Sequence, residues 1–251
     1  MIKVSKLSKK YGYKTVVDEV SLEFEKGKVI SMIGPNGAGK STILGMISRT
    51  INREKGQVII DDKELLEWDD SELAKILAIM KQSEHLDIKI TVEDLITFGR
   101  YPYSKGKLSD EDYLMIEEAI TYLDLADIRD KYIDELSGGQ RQRAYIASIY
   151  AQDTDYILLD EPLNNLDIKY ASEMLKLLKK MAIEKGKTII LVIHDINFAA
   201  AYSDTIVLIK DGKIRKVGSV NDIMKVEVLN DIYEMDFSIH EIDGRKLCIY
   251  Y

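Results

Sequence analysis

Only one cysteine, Cys248, occurs in the 251 residues, so no intramolecular disulfide can form and the fold must be held by non-covalent contacts. That suits a reducing cytoplasm. Cys248 itself is expected to be a small buried apolar residue in the strand-like run from Leu247 to Tyr251. No apolar run approaches the length of about 20 residues needed to cross a bilayer, and Met1-Ile2-Lys3-Val4 lacks the apolar core of a signal peptide. A membrane role would therefore have to come through a partner. Prolines number three and are scattered, as are Gly and Ser, which excludes a linker-rich or low-complexity chain. A basic excess is also lacking: 35 Lys and Arg stand against 43 Asp and Glu, a net charge of -8 that repels a polyphosphate backbone and argues against nucleic acid as a partner. No internal repeat is visible.

What is present is the composition of a globular α/β protein, 46% apolar and 31% charged. Val20, Leu22 and Phe24 alternate with polar neighbours, and the run Val29 to Ile33 stops at Gly34, so both read as strands, as does Val58 to Ile60. From about residue 83 the period changes. Val92, Leu95, Ile96 and Phe98, then Tyr113, Ile116, Ile120 and Leu123, recur at helical spacing, with Ser109 and Asp112 set as a capping box and Pro102 and Gly106 in the connecting loop. Continuous apolar runs return at Tyr156 to Leu159 and Thr188 to Ile193, separated by a helix from about Ile168 to Glu184 that Gly186 ends; strands buried on both faces and linked by helices imply a parallel sheet. Asp211-Gly212 and Asp243-Gly244 each predict a tight hairpin. The chain reads as one domain with two lobes: a core from 1–82 and 156–251, and a helical lobe over about 83–155.

Three segments carry chemistry. Gly34-Pro35-Asn36-Gly37-Ala38-Gly39-Lys40-Ser41-Thr42 matches the phosphate-loop pattern between a strand and a helix. Its glycines let successive N–H groups turn towards phosphate oxygens at a helix N-terminus, Lys40 is placed to reach the β- and γ-phosphates, and the Ser41 hydroxyl to ligate Mg²⁺. Asp160 and Glu161 end an apolar strand at the carboxyl edge of a sheet, where Asp160 can hold a metal and Glu161 can polarise an attacking water. Alone, such a pair is usually just solvated. Ser137-Gly138-Gly139-Gln140 opens a helix; Ser137 is an ordinary N-cap, but two glycines weaken a helix start, and N–H groups left open to an anion would justify them.

In order and spacing, the phosphate loop, Leu136-Ser137-Gly138-Gly139-Gln140, Asp160-Glu161, the lone Gln82 and His194 resemble the ATPases of ABC transporters over essentially the whole chain. The resemblance implies an α/β P-loop NTPase fold with a RecA-like core, an N-terminal antiparallel β subdomain and an inserted α-helical subdomain. It implies ATP as substrate with Mg²⁺ held by Ser41, Asp160 and Gln82. Glu161, His194 and Gln82 become the catalytic set, with His194 on the γ-phosphate. Tyr11 is similar to the aromatic that stacks on adenine, Tyr13 being its competitor. Leu163 to Asp167 resembles the D-loop that crosses to a second subunit, departing from the common pattern at Leu163. His85 and His240 match no motif and are assigned to structure.

The same resemblance implies a homodimer in which each signature segment, Ser137 to Gln140, closes on the ATP of the other chain. It also implies two integral-membrane permease subunits, a substrate-binding lipoprotein acting through them, and a place at the cytoplasmic face of the membrane. Thr91 to Tyr103, with its Gly99-Arg100-Tyr101-Pro102 core, is similar to the importers of iron siderophores, haem and cobalamin. Asp160 to Asp167 and His194 to Ala199 are most similar to those for catecholate-type siderophores. A haem or cobalamin importer, an exporter and a soluble non-transport ABC ATPase stay open as alternatives.

Overall fold

The computed structural model describes residues 1–81 and 89–250. Strands β1 (Ile2–Tyr11) and β2 (Lys14–Phe24) form an antiparallel hairpin, followed by β3 (Val29–Ile33), helix α1 (Lys40–Ile47), β4 (Lys55–Ile60) and the short β5 (Lys63–Glu64). Helix α2 (Asp70–Ile76) runs directly into β6 (Leu77–Met80). Four helices follow, α3 (Val92–Gly99), α4 (Tyr101–Ser104), α5 (Asp110–Tyr122) and α6 (Gly138–Gln152). The alternating part comprises β7 (Tyr156–Asp160), α7 (Ile168–Lys185), β8 (Thr188–Val192), α8 (Ile196–Tyr202) and β9 (Thr205–Lys210). The chain closes with β10 (Lys213–Gly218), α9 (Val220–Ile223), α10 (Val226–Tyr233) and the hairpin of β11 (Phe237–Ile242) and β12 (Arg245–Tyr250).

The central sheet has the order β10-β9-β3-β8-β7-β6, parallel throughout except for β10, and a second sheet, β2-β1-β4-β5, is antiparallel. Because side chains alternate along a strand, the apolar runs of the central sheet supply two cores at once. Val29, Ile157, Leu159, Ile189, Leu191, Ile206 and Leu208 face the helices of the insert, α7 and α8. Ile30, Met32, Leu158, Ile190, Val192, Val207 and Ile209 face α1 and the antiparallel sheet. Each fully buried side chain of this kind stabilises the fold by about 1.5–3 kcal/mol relative to exposure. The sheet is thus fixed from both sides.

Parallel pairing also aligns the strand ends. Met32 and Val192 are in register, and Val192 pairs with Asp160, so β3, β8 and β7 all release their chains at one edge. Asp211-Gly212 and Asp243-Gly244 make the expected hairpin turns, all four with positive φ. Gly186, at φ 65°, stops α7. Cys248 is buried and free in β12.

The helical insert departs from the sequence pattern in two ways. Phe98 and Tyr113 are on helical spacing with core residues yet are 59% and 55% exposed, because α3 and α5 bury narrower stripes than their apolar content suggests. Pro102 lies within a helix, not a loop: it occupies the first turn of α4, where its missing N–H has no bond to make. Lys105 at φ 48° and Gly106 at φ 87° then end that helix. No helix among the described residues is long and apolar enough to cross a membrane.

Candidate active site

The edge where β3, β7 and β8 end holds a cavity of about 350 Å³ lined by Val16, Asn36 to Thr42, Glu161 and His194. Its floor is the glycine-rich loop. Gly34 has φ 150° and lies so close to β9 that a Cβ would come 1.9 Å from the Ile209 carbonyl oxygen; Gly39 has φ 97° at the N-cap of α1, where a Cβ would meet Val16 O at 2.6 Å. Both positions are closed to any side chain. The loop is further held by the Gly212 N–H donating to Ala38 O at 3.1 Å, which ties it to the β9–β10 turn.

Lys40 is buried and donates from Nζ to the Gly34 and Pro35 carbonyls at 2.8 and 2.9 Å, so its ammonium is folded over the loop it belongs to. Burial lowers its pKa, and the nearby carboxylates of Glu161 and Asp160 only partly oppose this. Ser41 Oγ donates to Asp160 Oδ1 at 2.7 Å, bringing the hydroxyl of α1 against the end of β7. Burial raises the Asp160 pKa; the Ser41 bond pulls it down and the charge of Glu161 pushes it up. Two carboxylates and one buried ammonium therefore share a small volume in which anionic charge is crowded near oxygen donors.

Glu161 is the best-held side chain of the site. His194 Nε2 lies 2.7 Å from its Oε1, and Asn164 Nδ2 donates to its Oε2 at 2.5 Å. Its backbone has φ 52° and donates to Val192 O at 3.1 Å. A non-glycine residue in this left-handed region is uncommon, and the flanking contacts are what maintain it. His194 does not cap α8; Asp195 does, accepting from Phe198 N at 2.8 Å.

The remaining predicted residues lie elsewhere. Ser137 caps α6, with Gln140 closing a reciprocal capping box, and the exposed Ser137 and Gly138 do not line the cavity. Asp167 caps α7 by accepting from Tyr170 N at 3.0 Å. Tyr11 and Tyr13 are both exposed, Tyr11 lying beneath Lys9 Nζ at 5.4 Å, and neither lines the cavity, whereas Val16 does. Gln82 and His85 fall outside the described residues. His240 is exposed on β11, against Ser238 Oγ at 3.3 Å. Val16 carries no sequence signal of its own, being a strand valine among many, and Asn164, though inside the D-loop-like segment, has nothing in the sequence to mark it as a partner of Glu161.

A buried lysine on a glycine-rich loop, a Ser–Asp pair and a carboxylate bracketed by His and Asn are the groups a nucleoside triphosphatase needs, gathered on one cavity or its edge. Residues 17–164 match the ABC transporter family, and the chain belongs to that family as an ATP-binding subunit. It is 51% identical over 251 residues, the whole of both chains, to the petrobactin import ATP-binding protein YclP of Bacillus subtilis. It is 46% identical to the petrobactin import ATP-binding protein FatE of Bacillus anthracis, over 95% of this chain and 96% of that one. Among solved structures it is similar to the ATP-binding cassette MJ0796, dimeric in a post-hydrolysis state with ADP and Pi, at a TM-score of 0.77 and 31% identity, covering 88% of this chain and 99% of the other.

Proposed function

We infer that this chain binds and hydrolyses ATP to energise an ABC importer, with an iron siderophore of the catecholate type as cargo. The observation that carries the reaction is Glu161, held at both oxygens and facing the phosphate loop across one cavity. With ATP seated on the loop, its N–H groups and Lys40 take the β- and γ-phosphates. Glu161 accepts a proton from water as the new O–P bond forms, the bond from γ-phosphorus to the β-phosphate oxygen breaks, and ADP and phosphate result. His194, against Glu161 and lining the same cavity, is the residue we assign to contact that γ-phosphate. Ser41 and Asp160 present hard oxygen ligands side by side, which fits Mg²⁺, an ion that takes few protein ligands alongside substrate phosphates. Bound there, with Gln82 as a further ligand, it would neutralise phosphate charge.

Dimerisation completes the reading. Ser137, Gly138, Gly139 and Gln140 do not line the chain's own cavity, so we place them on the ATP of a second copy, with Asp167 in the loop that crosses between copies. The similarity to a dimeric cassette supports this arrangement. Residues 1–82 and 156–251 would move as one lobe and about 83–155 as the other. The exposed aromatics Phe98 and Tyr101 on α3 and α4 suit contact with permease subunits at the cytoplasmic face of the membrane, through which a binding lipoprotein delivers the cargo. The siderophore assignment rests on relatives named for petrobactin import.

Glu161→Gln tests the reaction. Hydrolysis should fall by about 10²–10⁴-fold, the usual worth of a general base, while ATP binding persists and an ATP-bound dimer accumulates in size-exclusion chromatography. An active, strictly monomeric protein would overturn the dimer. Reconstitution with candidate permeases tests the cargo: a binding protein loaded with a ferric catecholate siderophore should stimulate hydrolysis, and one loaded with haem or cobalamin should not.

A further inference from the structure

We propose that Gln142 is a positioning residue that transmits the engagement of one ATP site of the dimer to the general base of the other. The inference rests on the two-site dimer reading above and adds the physical link between its sites. Gln142 lies on α6, two residues beyond the signature segment, and its Nε2 donates to the Pro162 carbonyl at 2.6 Å while lying 3.8 Å from Met80 Sδ. Pro162 immediately follows Glu161. Having no N–H of its own, this proline offers the turn only its carbonyl as a handle, and Gln142 takes it. The turn being held is the one that keeps Glu161 at φ 52°.

The start of α6 is itself packed tightly against the first turn of α7 and touches the loop that leads into it. A Cβ on Gly139 would come 2.9 Å from Tyr170 Cγ, and one on Gly138 would lie 3.4 Å from Asn165 O. Shifts of the signature segment are therefore carried along a stiff helix, at about 1.5 Å of rise per residue, to Gln142 within one turn. From there they reach Pro162 O and the backbone of Glu161. In the dimer the signature of a chain contacts the partner's ATP, whereas Glu161 acts on the chain's own. The Gln142–Pro162 bond thus lies between the two sites, inside a single chain. Within the chain the path is continuous, through one helix, one hydrogen bond and one peptide unit, a route by which the two sites can bias one another.

Mixed dimers of full-length chains, purified through two different tags, separate this from a plain defect of the signature helix. One arrangement places Gln142→Leu in the chain whose Glu161 is intact, with Glu161→Gln in the other chain. The second places both substitutions in one chain, so that the hydrolysing chain keeps Gln142. Coupling through Pro162 predicts a loss of kcat of about 2- to 30-fold in the first arrangement only, with ATP affinity unchanged. In Gln142→Leu homodimers the Hill coefficient for ATP, bounded by about 2 for two sites, should fall towards 1. Gln142→Glu has the same shape but sets a carboxylate against the carbonyl, and should reproduce both effects if the leucine variant proves unstable. A loss confined to the second arrangement, equal in both, or absent from both overturns the proposal. Failure of the dimer reading would appear separately, as wild-type chains that hydrolyse ATP without pairing, and would remove the proposal with it.

Discussion

Asp160 shows how a single carboxylate can be tuned for binding at the expense of stability. Burial and the neighbouring Glu161 hold its pKa above the ordinary value despite the Ser41 hydrogen bond. The folded chain therefore binds more protons than the unfolded one between the ordinary and the raised pKa. Stability consequently falls as pH rises through that window and stays lower above it. Asp160→Asn keeps an acceptor for Ser41 and removes the charge. Its melting temperature should exceed that of wild type at pH 7 in the absence of nucleotide. The difference should shrink to nothing as the pH falls below about 3.9, where unfolded aspartates also protonate. Melting curves across a pH series measure this, and a variant less stable than wild type at pH 7 would show that the anion is favoured by the fold. Hydrolysis should be lost regardless if Asp160 holds Mg²⁺ as proposed above.

At the scale of elements, the importer-like segment Gly99-Arg100-Tyr101-Pro102 acts as architecture. Gly99 lets α3 meet α6 so closely that a Cβ would lie 2.1 Å from Ser148 O. Arg100 is buried, donating from Nε to Asp112 Oδ1 at 2.8 Å and from an Nη to Ala151 O at 2.9 Å, with its guanidinium 4.0 Å from the Tyr103 ring centre. Asp112 is at the same time the N3 partner in the capping box of α5. Ser109→Ala should cost about 1 kcal/mol, the usual value of an N-cap. Asp112→Ala also strands a buried guanidinium and should cost about 3–5 kcal/mol. Urea denaturation of both variants checks the ratio; equal costs would mean that the ion pair contributes nothing.

The capping box is legible in the sequence because Ser109 and Asp112 are close neighbours along the chain, and the phosphate loop because its conformation is a local requirement of glycine. Hairpin turns and strand runs are readable for the same reason. Arg100 to Asp112 and Gln142 to Pro162 are not, since partnership between distant side chains and backbone depends on how elements pack. The exposure of Phe98 and Tyr113 is the same lesson in reverse: period alone does not say how wide a buried stripe is.

For the molecule as a whole, the central sheet is shared by two apolar clusters, so β3, β7 and β8 cannot open without disrupting both. The C-terminal hairpin differs. It adds to one cluster only, through Phe237 and Cys248, and its polar anchors are Asn230, which accepts from Phe237 N at 2.9 Å, and Asn197, which donates to Cys248 O at 3.1 Å and accepts from Cys248 N at 2.7 Å. Asn197 stands on α8, three residues after His194, so the hairpin braces the helix that follows the catalytic edge. Few buried side chains, one asparagine bond on β11 and the Asn197 clasp on β12 mean that this hairpin should open locally at lower free energy than the rest. Their amides should therefore exchange with deuterium faster than those of β7 and β8. Removing the clasp with Asn197→Ala forfeits two hydrogen bonds of about 1 kcal/mol each and should speed exchange across residues 237–250 by about tenfold or more. Exchange in β7 and β8 should be unaltered. If the whole chain exchanged faster instead, the hairpin would be part of the global folding unit, and its contact with α8 would have to be counted with the sheet.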